Sequence, residues 1–200
     1  MMSTMKAIAF AVLGFWLAPI AQANSTDAAT GHVRTLGDKA ITALGNAKTM
    51  SEADRDAEFR RLMKDGFDLA LIGRFVLGVH WRRATDAEKA EYAPLFEDYV
   101  IKTYANRLTN YNDERFEVQS GKPDDEKDVI VASLIHRSEG APVKVDWRVR
   151  ISGDKPKIID VIVEGASMAI SQRSEFSSVI QNNGGQIAAL IKLLRDKTGK

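Results

Sequence analysis

The sequence predicts an α+β fold in which helices precede and follow a four-stranded antiparallel sheet. Apolar residues recur at helical spacing before residue 115 and again after Gly165, and they alternate with polar residues between these two points. Only three to seven residues separate consecutive strand candidates, which is too short for helical crossovers and indicates an antiparallel meander. The chain shows no internal repeat and no linker-like segment, so residues 24–200 are expected to form a single domain.

The first 23 residues have the three parts of a secretory signal peptide. Lys6 is their one charged residue, an apolar run follows it, and residues 21–23 read Ala-Gln-Ala, which fits the pocket of a signal peptidase. We therefore expect removal of residues 1–23 by cleavage near Ala23/Asn24. Pro19 and a length below the roughly 20 apolar residues of a membrane-spanning helix argue against an uncleaved anchor. The expected product is a soluble periplasmic protein.

The first three helices are predicted from apolar spacing and from signals at their ends. One helix lies within residues 27–50, and a second begins at Ser51, where Ser-Glu-Ala-Asp has the pattern of a capping box. Gly66 is a helix-breaking signal in the second helix. A short apolar helix follows over residues 67–77 and is closed by Gly78. The apolar stripe of the first helix consists of Val33, Leu36, Ala40, Ile41 and Leu44.

A longer helix is predicted from Thr85 to about Asn110. Thr85-Asp-Ala-Glu is again a capping-box pattern. Pro94 lies too deep for the first helical turn, where proline is tolerated, so a kink or a late helix start is expected there. One broad face of this helix carries Tyr92, Leu95, Phe96, Tyr99, Val100, Thr103 and Tyr104.

Four strands are predicted between the two helical regions, and two helices after them. In the third strand, valine, tryptophan and isoleucine alternate with lysine, aspartate and arginine, so one face is buried and the other is wet or salt-bridged. The predicted strands are 115–120, 128–137, 142–152 and 157–164. The helices that follow are 167–181 and 185–196.

Composition excludes several classes of function. The chain has no cysteine, which rules out disulfides, thiolate metal sites, iron–sulfur clusters and cysteine nucleophiles. Without Lys6 the chain has 27 basic and 27 acidic side chains, so no nucleic-acid partner is expected. His32, His80 and His136 lack metal-ligand spacing, and the sequence has no glycine-rich phosphate loop. We expect no cofactor and no metal.

Catalytic candidates are few. Ser167 follows Gly-Ala after a strand, but it lacks the glycine pattern of a nucleophile elbow and is interpreted as a helix cap. Asp146, Asp160 and Glu164 are carboxylates that could serve acid–base chemistry. They lie opposite basic residues of the third strand, and we interpret them as members of salt bridges. The chain is therefore not expected to be an enzyme.

Two segments, taken together, resemble a known family. Residues 67–104 read FDLALIGRFVLGVHWRRATDAEKAEYAPLFEDYVIKTY, with a Phe-Asp start, a Leu-Gly stop, a Trp-Arg pair and a threonine-capped helix. Residues 143–176 include VKVDWRVRI and then KIIDVIVEGASMAISQRSEF, with paired strands, a D-V-x-x-E-G-x-S corner and a closing helix. Both segments are similar to the toluene-tolerance, or MlaC, family, and the resemblance extends over roughly residues 30–196.

The resemblance implies a curved sheet and helices that enclose a deep apolar pocket for lipid acyl chains. It implies a periplasmic carrier that shuttles phospholipid between the outer and inner membranes as the substrate-binding component of an Mla-type ABC transport system. The implied partners are an inner-membrane ABC transporter with its MCE-domain protein and an outer-membrane lipoprotein complex. The segment 167–185 resembles the hopanoid-associated HpnM branch more closely. This would make the cargo a polycyclic triterpenoid lipid, or leave it a phospholipid in an organism that makes hopanoids.

Lipid-binding candidates are the apolar and aromatic residues that the predicted elements turn inward. A filled core would give the same apolar stripes, so an envelope adaptor with a solid core stays open, as does an acid–base enzyme with a hydrophobic pocket. The candidates are Phe75, Val76, Tyr92, Phe96, Tyr99, Val100, Tyr104, Val145, Trp147, Val149, Ile159, Val161, Val163, Met168 and Phe176.

Overall fold

Helices precede and follow an antiparallel sheet in a computed structural model that describes residues 18–46, 49–108, 114–152 and 155–200. For residues 18–23 and 106–108 the description is of the backbone. The elements are α1 (Ala18–Asn46), α2 (Glu52–Gly66), α3 (Leu69–Leu77), α4 (Val79–Arg83), α5 (Asp86–Leu108), β1 (Arg115–Pro123), β2 (Asp128–His136), β3 (Val143–Ser152), β4 (Lys155–Val163), β5 (Ala166–Ser167), α6 (Met168–Asn182) and α7 (Ile187–Thr198). The predicted α+β class is confirmed.

The sheet has five strands in the order β1-β2-β3-β4-β5, with each neighbouring pair antiparallel. The meander is as predicted, but the count of four strands is wrong. The strand missed is β5, whose two residues are too few to show an alternation of apolar and polar positions. It pairs with β4 through Ile162 opposite Ser167 and Val163 opposite Ala166.

Two irregularities in strand pairing bend the sheet. One lies between Val118 and Gly121 in β1, and β1 continues beyond it to Pro123 instead of ending at 120 as predicted. The other lies in β4, where Asp160 pairs with Arg148 but Ile158 pairs with Val149, so Ile159 has no partner across the ladder. Extra residues of this kind bend a strand and increase its twist.

The predicted helix ends agree with the structure where capping residues mark them. The Ser51 hydroxyl accepts a 3.1 Å hydrogen bond from the Asp54 N–H at the start of α2. At the start of α5, the Thr85 N–H donates to Glu88 Oε2 at 2.8 Å and the Glu88 N–H donates to Thr85 Oγ1 at 3.2 Å. Gly78 closes α3 with a φ of 59°, a conformation that favours glycine.

The sequence misses one helix, and the structure excludes one of the two alternatives expected at Pro94. The short helix α4 was not predicted, because five residues are too few for a helical repeat of apolar positions. Helix α5 begins at Asp86 and continues through Pro94, so the late start does not occur. The capping box already fixes the first turn upstream of the proline, which explains the early start.

Parts of four predictions lie outside the described residues. These are most of the signal peptide, of which only 18–23 belong to the described backbone of α1, residues 47–48 of the first predicted helix, the helix end near Asn110, and the turn at 153–154.

Two groups of buried apolar residues form most of the core. The helical cluster joins α3, α5, α6 and α7 and includes Phe96, Phe176 and Leu190. The sheet cluster joins α1 to the inner face of the sheet and includes Val33 and Val149. The space between these clusters is not completely filled, and it forms the cavity described next.

Candidate functional site

A cavity of about 430 Å³ lies between the sheet and the helices. This volume is within the roughly 300–1,000 Å³ of small-molecule sites in proteins. Its wall is almost entirely apolar. The lining residues are Val33, Leu36, Gly37, Ala40, Ile41, Leu44, Phe59, Leu62, Met63, Phe67, Leu69, Ile72, Val76, Phe96, Val100, Tyr104, Glu114, Phe116, Ile135, Val145, Trp147, Ile158, Asp160, Val161, Val163, Met168, Ala169 and Gln172.

Helices α1 and α2 form one wall of the cavity. The apolar stripe of α1 faces it from Val33 to Leu44, and α2 contributes Phe59, Leu62 and Met63 at helical spacing. Gly37 allows the close approach of β1 to this wall, because a Cβ at this position would lie 2.4 Å from the Phe116 ring. Any side chain at residue 37 would therefore displace an aromatic ring of the cavity wall.

The inner face of the sheet forms the opposite wall. Trp147 lies at its centre, with the Phe116 and Phe67 rings edge-on at centroid distances of 6.0 Å and 6.5 Å. The indole Nε1 donates to Ser133 Oγ at 2.9 Å, and the Ser133 hydroxyl donates to the Val145 carbonyl at 2.8 Å. These bonds satisfy the polar groups within the wall, so the surface offered to a ligand stays apolar.

Helices α3, α5 and α6 complete the enclosure. Helix α3 presents Leu69, Ile72 and Val76, and α6 presents Met168, Ala169 and Gln172. Helix α5 presents Phe96, Val100 and Tyr104. The Tyr104 hydroxyl lies 4.0 Å from the Met168 sulfur, so α5 and α6 meet at the wall.

The corner between β4 and α6 sets the position of α6 against the cavity. Glu164 and Gly165 both have positive φ, 49° and 84°, which forms a two-residue turn. Glu164 is held in this conformation because its N–H donates to the Lys144 carbonyl and its carboxylate accepts from the Lys144 N–H at 2.6 Å. Ser167 then caps α6 by accepting from the Ile170 N–H at 3.1 Å, as predicted.

The carboxylates considered for acid–base chemistry have structural partners. Asp160 is at the cavity wall, and its two oxygens accept from the Ser167 hydroxyl at 2.5 Å and the Ala169 N–H at 3.0 Å. Asp146 lies on the outer side of the sheet and pairs with Lys144 at 3.2 Å. Glu164 is in the turn described above. This arrangement leaves the wall suited to holding an apolar molecule.

Most of the residues predicted to contact lipid line the cavity. These are Val76, Phe96, Val100, Tyr104, Val145, Trp147, Val161, Val163 and Met168.

The others lie elsewhere, each for an identifiable reason. Tyr92, Tyr99 and Phe176 pack in or against the helical cluster, where the Tyr92 hydroxyl donates to the Gly73 carbonyl at 2.9 Å. Burial raises the pKa of this hydroxyl above its usual value. Val149 is in the sheet cluster. The remaining two are Phe75, which is exposed, and Ile159, which the pairing irregularity of β4 removes from the inner face in favour of Ile158.

The prediction missed the whole α1–α2 wall. The stripe of α1 was recognised as a helix face, and Phe59, Leu62 and Met63 show the same spacing in α2. That periodicity is the signal by which this wall could be found. Also missed were the apolar residues Phe67, Leu69, Ile72, Phe116, Ile135, Ile158 and Ala169 and the polar lining residues Glu114, Asp160 and Gln172.

Two properties of the described residues are relevant to function. No helix in that part of the chain is both long and apolar enough to cross a membrane. Within the same ranges, histidines and carboxylates do not gather in groups of three or more that could hold a metal ion.

Sequence comparison relates the chain to a characterised group of proteins. The MlaC protein family matches residues 34–196. A toluene tolerance protein, ttg2D of Pseudomonas putida, is 26% identical over 128 residues, which are 64% of this chain and 60% of that protein. The intermembrane phospholipid transport system binding protein MlaC of Haemophilus influenzae is 22% identical over 121 residues, 58% of this chain and 56% of its own length. The matches thus span less than two thirds of these relatives.

Structural comparison finds the same fold in a solved protein. The phospholipid-binding protein of Ralstonia solanacearum, solved in complex with a phospholipid, superimposes with a TM-score of 0.71 at 22% sequence identity. The superposition covers 86% of this chain and 97% of the other.

Proposed function

The chain belongs to the MlaC family, and from this premise we propose that it is a periplasmic lipid carrier that holds acyl chains in the cavity. The observation that carries the proposal is the apolar lining, which extends over both the sheet and the helical walls. The sequence resemblance predicted this membership, and the periodicity of apolar residues predicted the α+β fold.

The energetics of lipid transfer explain why such a carrier needs a cavity of this kind. A diacyl lipid has about 30 methylene groups, and exposing them to water at about 0.8 kcal/mol each costs on the order of 25 kcal/mol. Free diffusion of the lipid between membranes is therefore negligible. A protein that encloses the chains in an apolar wall offsets most of this cost, and exchange with a membrane becomes nearly balanced.

The proposed cargo is phospholipid. The H. influenzae relative is named for intermembrane phospholipid transport, and the R. solanacearum protein, which shares the fold, was solved with a phospholipid. Transport between the outer and inner membranes, with an ABC transporter and its MCE-domain protein at one end and an outer-membrane lipoprotein complex at the other, belongs to the same proposal. A hopanoid cargo is the alternative, and identification of the bound lipid distinguishes it from phospholipid.

We further propose that the working protein is residues 24–200, exported after removal of residues 1–23. The hydrogen bonds that occupy Asp160 and Glu164 support a carrier over an acid–base enzyme, since these groups fix the corner before α6. An adaptor with a solid core would have little use for a cavity with this lining.

Native mass spectrometry and lipid extraction, on protein purified from the periplasm of its own cells, test the proposal. About one phospholipid per chain is the expected result. A bound hopanoid would move the cargo to the triterpenoid class. Protein that carries neither lipid would contradict the carrier function and favour the adaptor.

A further inference from the structure

Three large apolar side chains of the described residues are exposed, and they lie close together. Phe75 of α3, Val79 of α4 and Ile170 of α6 are 44%, 43% and 58% exposed. Isolated apolar residues are ordinary on protein surfaces, whereas a group of them at one place indicates an interaction site.

Arg173 of α6 connects the three. Its guanidinium carbon lies 5.3 Å from the centroid of the Phe75 ring. Its Nε lies 2.8 Å from where a Cβ would stand on Gly78, the residue immediately before Val79. Ile170 is three residues before Arg173 on α6 and therefore shares its helix face. We name the surface formed by Phe75, Val79, Ile170 and Arg173 the Arg173 patch.

The two segments that form the Arg173 patch carry only basic charges, although the chain as a whole is nearly neutral. Residues 69–84 contain Arg74, Arg82 and Arg83 but no aspartate or glutamate, and residues 165–174 contain only Arg173 as a charged residue. Arg82 and Arg83 are exposed and follow Val79 by three and four positions, so they lie on its side of α4. Within the described part of the chain, none of these four guanidinium groups has an ion-pair partner at salt-bridge distance.

We propose that the Arg173 patch binds the surface of a lipid bilayer that carries anionic headgroups. Apolar side chains of moderate size can enter the headgroup region, while arginines beside them are attracted to the negative surface. An arginine without an ion-pair partner is adjacent to each exposed apolar residue or within one helical turn of it. This combination of positive charge and apolar side chains is complementary to an anionic bilayer surface. A protein partner of matching charge is the competing occupant, and the experiment distinguishes it.

Helices α3 and α6 contribute residues to both the Arg173 patch and the cavity wall. Gln172 lines the cavity and Arg173 belongs to the patch, although they are consecutive in α6. In α3, Ile72 and Val76 line the cavity while Phe75 faces outward. Binding at the patch therefore brings two cavity-wall helices to the bilayer. This consequence rests on the proposed carrier function, whereas the binding itself does not.

Vesicle flotation tests the binding with protein purified from its own cells. The vesicles are phosphatidylcholine alone, or phosphatidylcholine mixed with phosphatidylglycerol in equal parts. We expect flotation with the anionic vesicles and much less with the neutral ones. Each arginine near an anionic surface contributes a factor of about five, so Arg82→Gln with Arg83→Gln should weaken binding about 30-fold. The matched control is Arg34→Gln with Lys39→Gln, which removes two exposed positive charges from α1.

Ile170→Ser tests the apolar part of the patch. Ile170 is exposed, so its replacement leaves the core intact, and we expect about tenfold weaker flotation at a salt concentration that screens the arginines. Circular dichroism of each variant establishes that it is folded.

Absence of flotation with anionic vesicles, or an equal loss in the α1 control, would overturn the membrane proposal. If the patch variants bind vesicles as well as wild type does but fail to deliver lipid in cells, the membrane proposal is overturned in favour of a protein partner. Bound lipid is measured in the same preparations, so failure of the carrier proposal can be distinguished from failure of the membrane proposal. Protein that floats but carries no lipid contradicts the carrier function, and protein that carries lipid but does not float contradicts the membrane site.

Discussion

The indole nitrogen of Trp147 donates a 2.9 Å hydrogen bond to the hydroxyl of Ser133, on the neighbouring strand of the cavity wall. Ser133 is completely buried, and its hydroxyl donates a hydrogen bond to the Val145 carbonyl. The chain of bonds lets the wall include a tryptophan without exposing a polar group to the cavity. It also predicts which small substitution would disturb this wall most.

Ser133→Ala should destabilise the protein by about 1–3 kcal/mol, because the Trp147 N–H loses its acceptor in a buried place. Urea unfolding of the two proteins measures the difference. Ser178→Ala is the matched control, since Ser178 is an exposed serine on α6. Equal stability of wild type and Ser133→Ala would show that this hydrogen bond is not important to the wall.

Asp160→Asn should reduce stability by about 1.5 kcal/mol and leave the amount of bound lipid unchanged. The substitution weakens the acceptor for the Ser167 hydroxyl and the Ala169 N–H, which are charge-assisted bonds. Thermal unfolding and lipid extraction measure the two quantities. Glu164→Gln should behave in the same way. Loss of function in these variants, with lipid still bound, would instead favour acid–base catalysis.

Arg150→Met should cost about 3 kcal/mol of unfolding free energy. The Arg150 side chain makes two hydrogen bonds to Asp128, at 2.7 Å and 2.8 Å, and Asp128 is only 2% exposed. Removal of the arginine leaves a buried carboxylate without its counter-ion. The double variant with Asp128→Asn should be more stable than Arg150→Met alone. A double variant that is less stable than the single one would contradict this explanation.

The capping box of α5 should make stability depend on acid pH. The backbone N–H and the hydroxyl of Thr85 donate to the Glu88 carboxylate and lower its pKa below the usual value. A lowered pKa in the folded state means that the contribution is present above the ordinary pKa and is lost as pH falls through the lowered one. Denaturant titrations in mildly and strongly acidic buffers should show a larger loss of unfolding free energy in wild type than in Glu88→Gln, which lacks this contribution. Identical pH profiles would contradict it.

Local sequence signals predicted the elements well wherever they were strong. The capping patterns at Ser51 and Thr85 mark the true starts of α2 and α5, and the alternation around Trp147 marks β3. Prediction failed for β5 and α4, because two and five residues carry no usable period.

The cavity itself was harder to predict, because a lined cavity and a filled core require the same apolar residues. Tyr92 and Phe176 have the spacing expected of cavity residues, yet they pack in the helical cluster. The exchange of Ile159 for Ile158 depends on a pairing irregularity that forms only when β3 and β4 meet. Long-range packing decided these positions, and one sequence does not contain that information in a readable form.

We propose that the cavity between α1 and the sheet holds the lipid chains, and filling this cavity tests the proposal most directly. Ala40 lines the cavity, whereas Ala28 is exposed on the same helix. Native mass spectrometry should show bound lipid in wild type and Ala28→Trp, and a loss of most of it in folded Ala40→Trp. Full lipid occupancy in a folded Ala40→Trp protein would contradict the account.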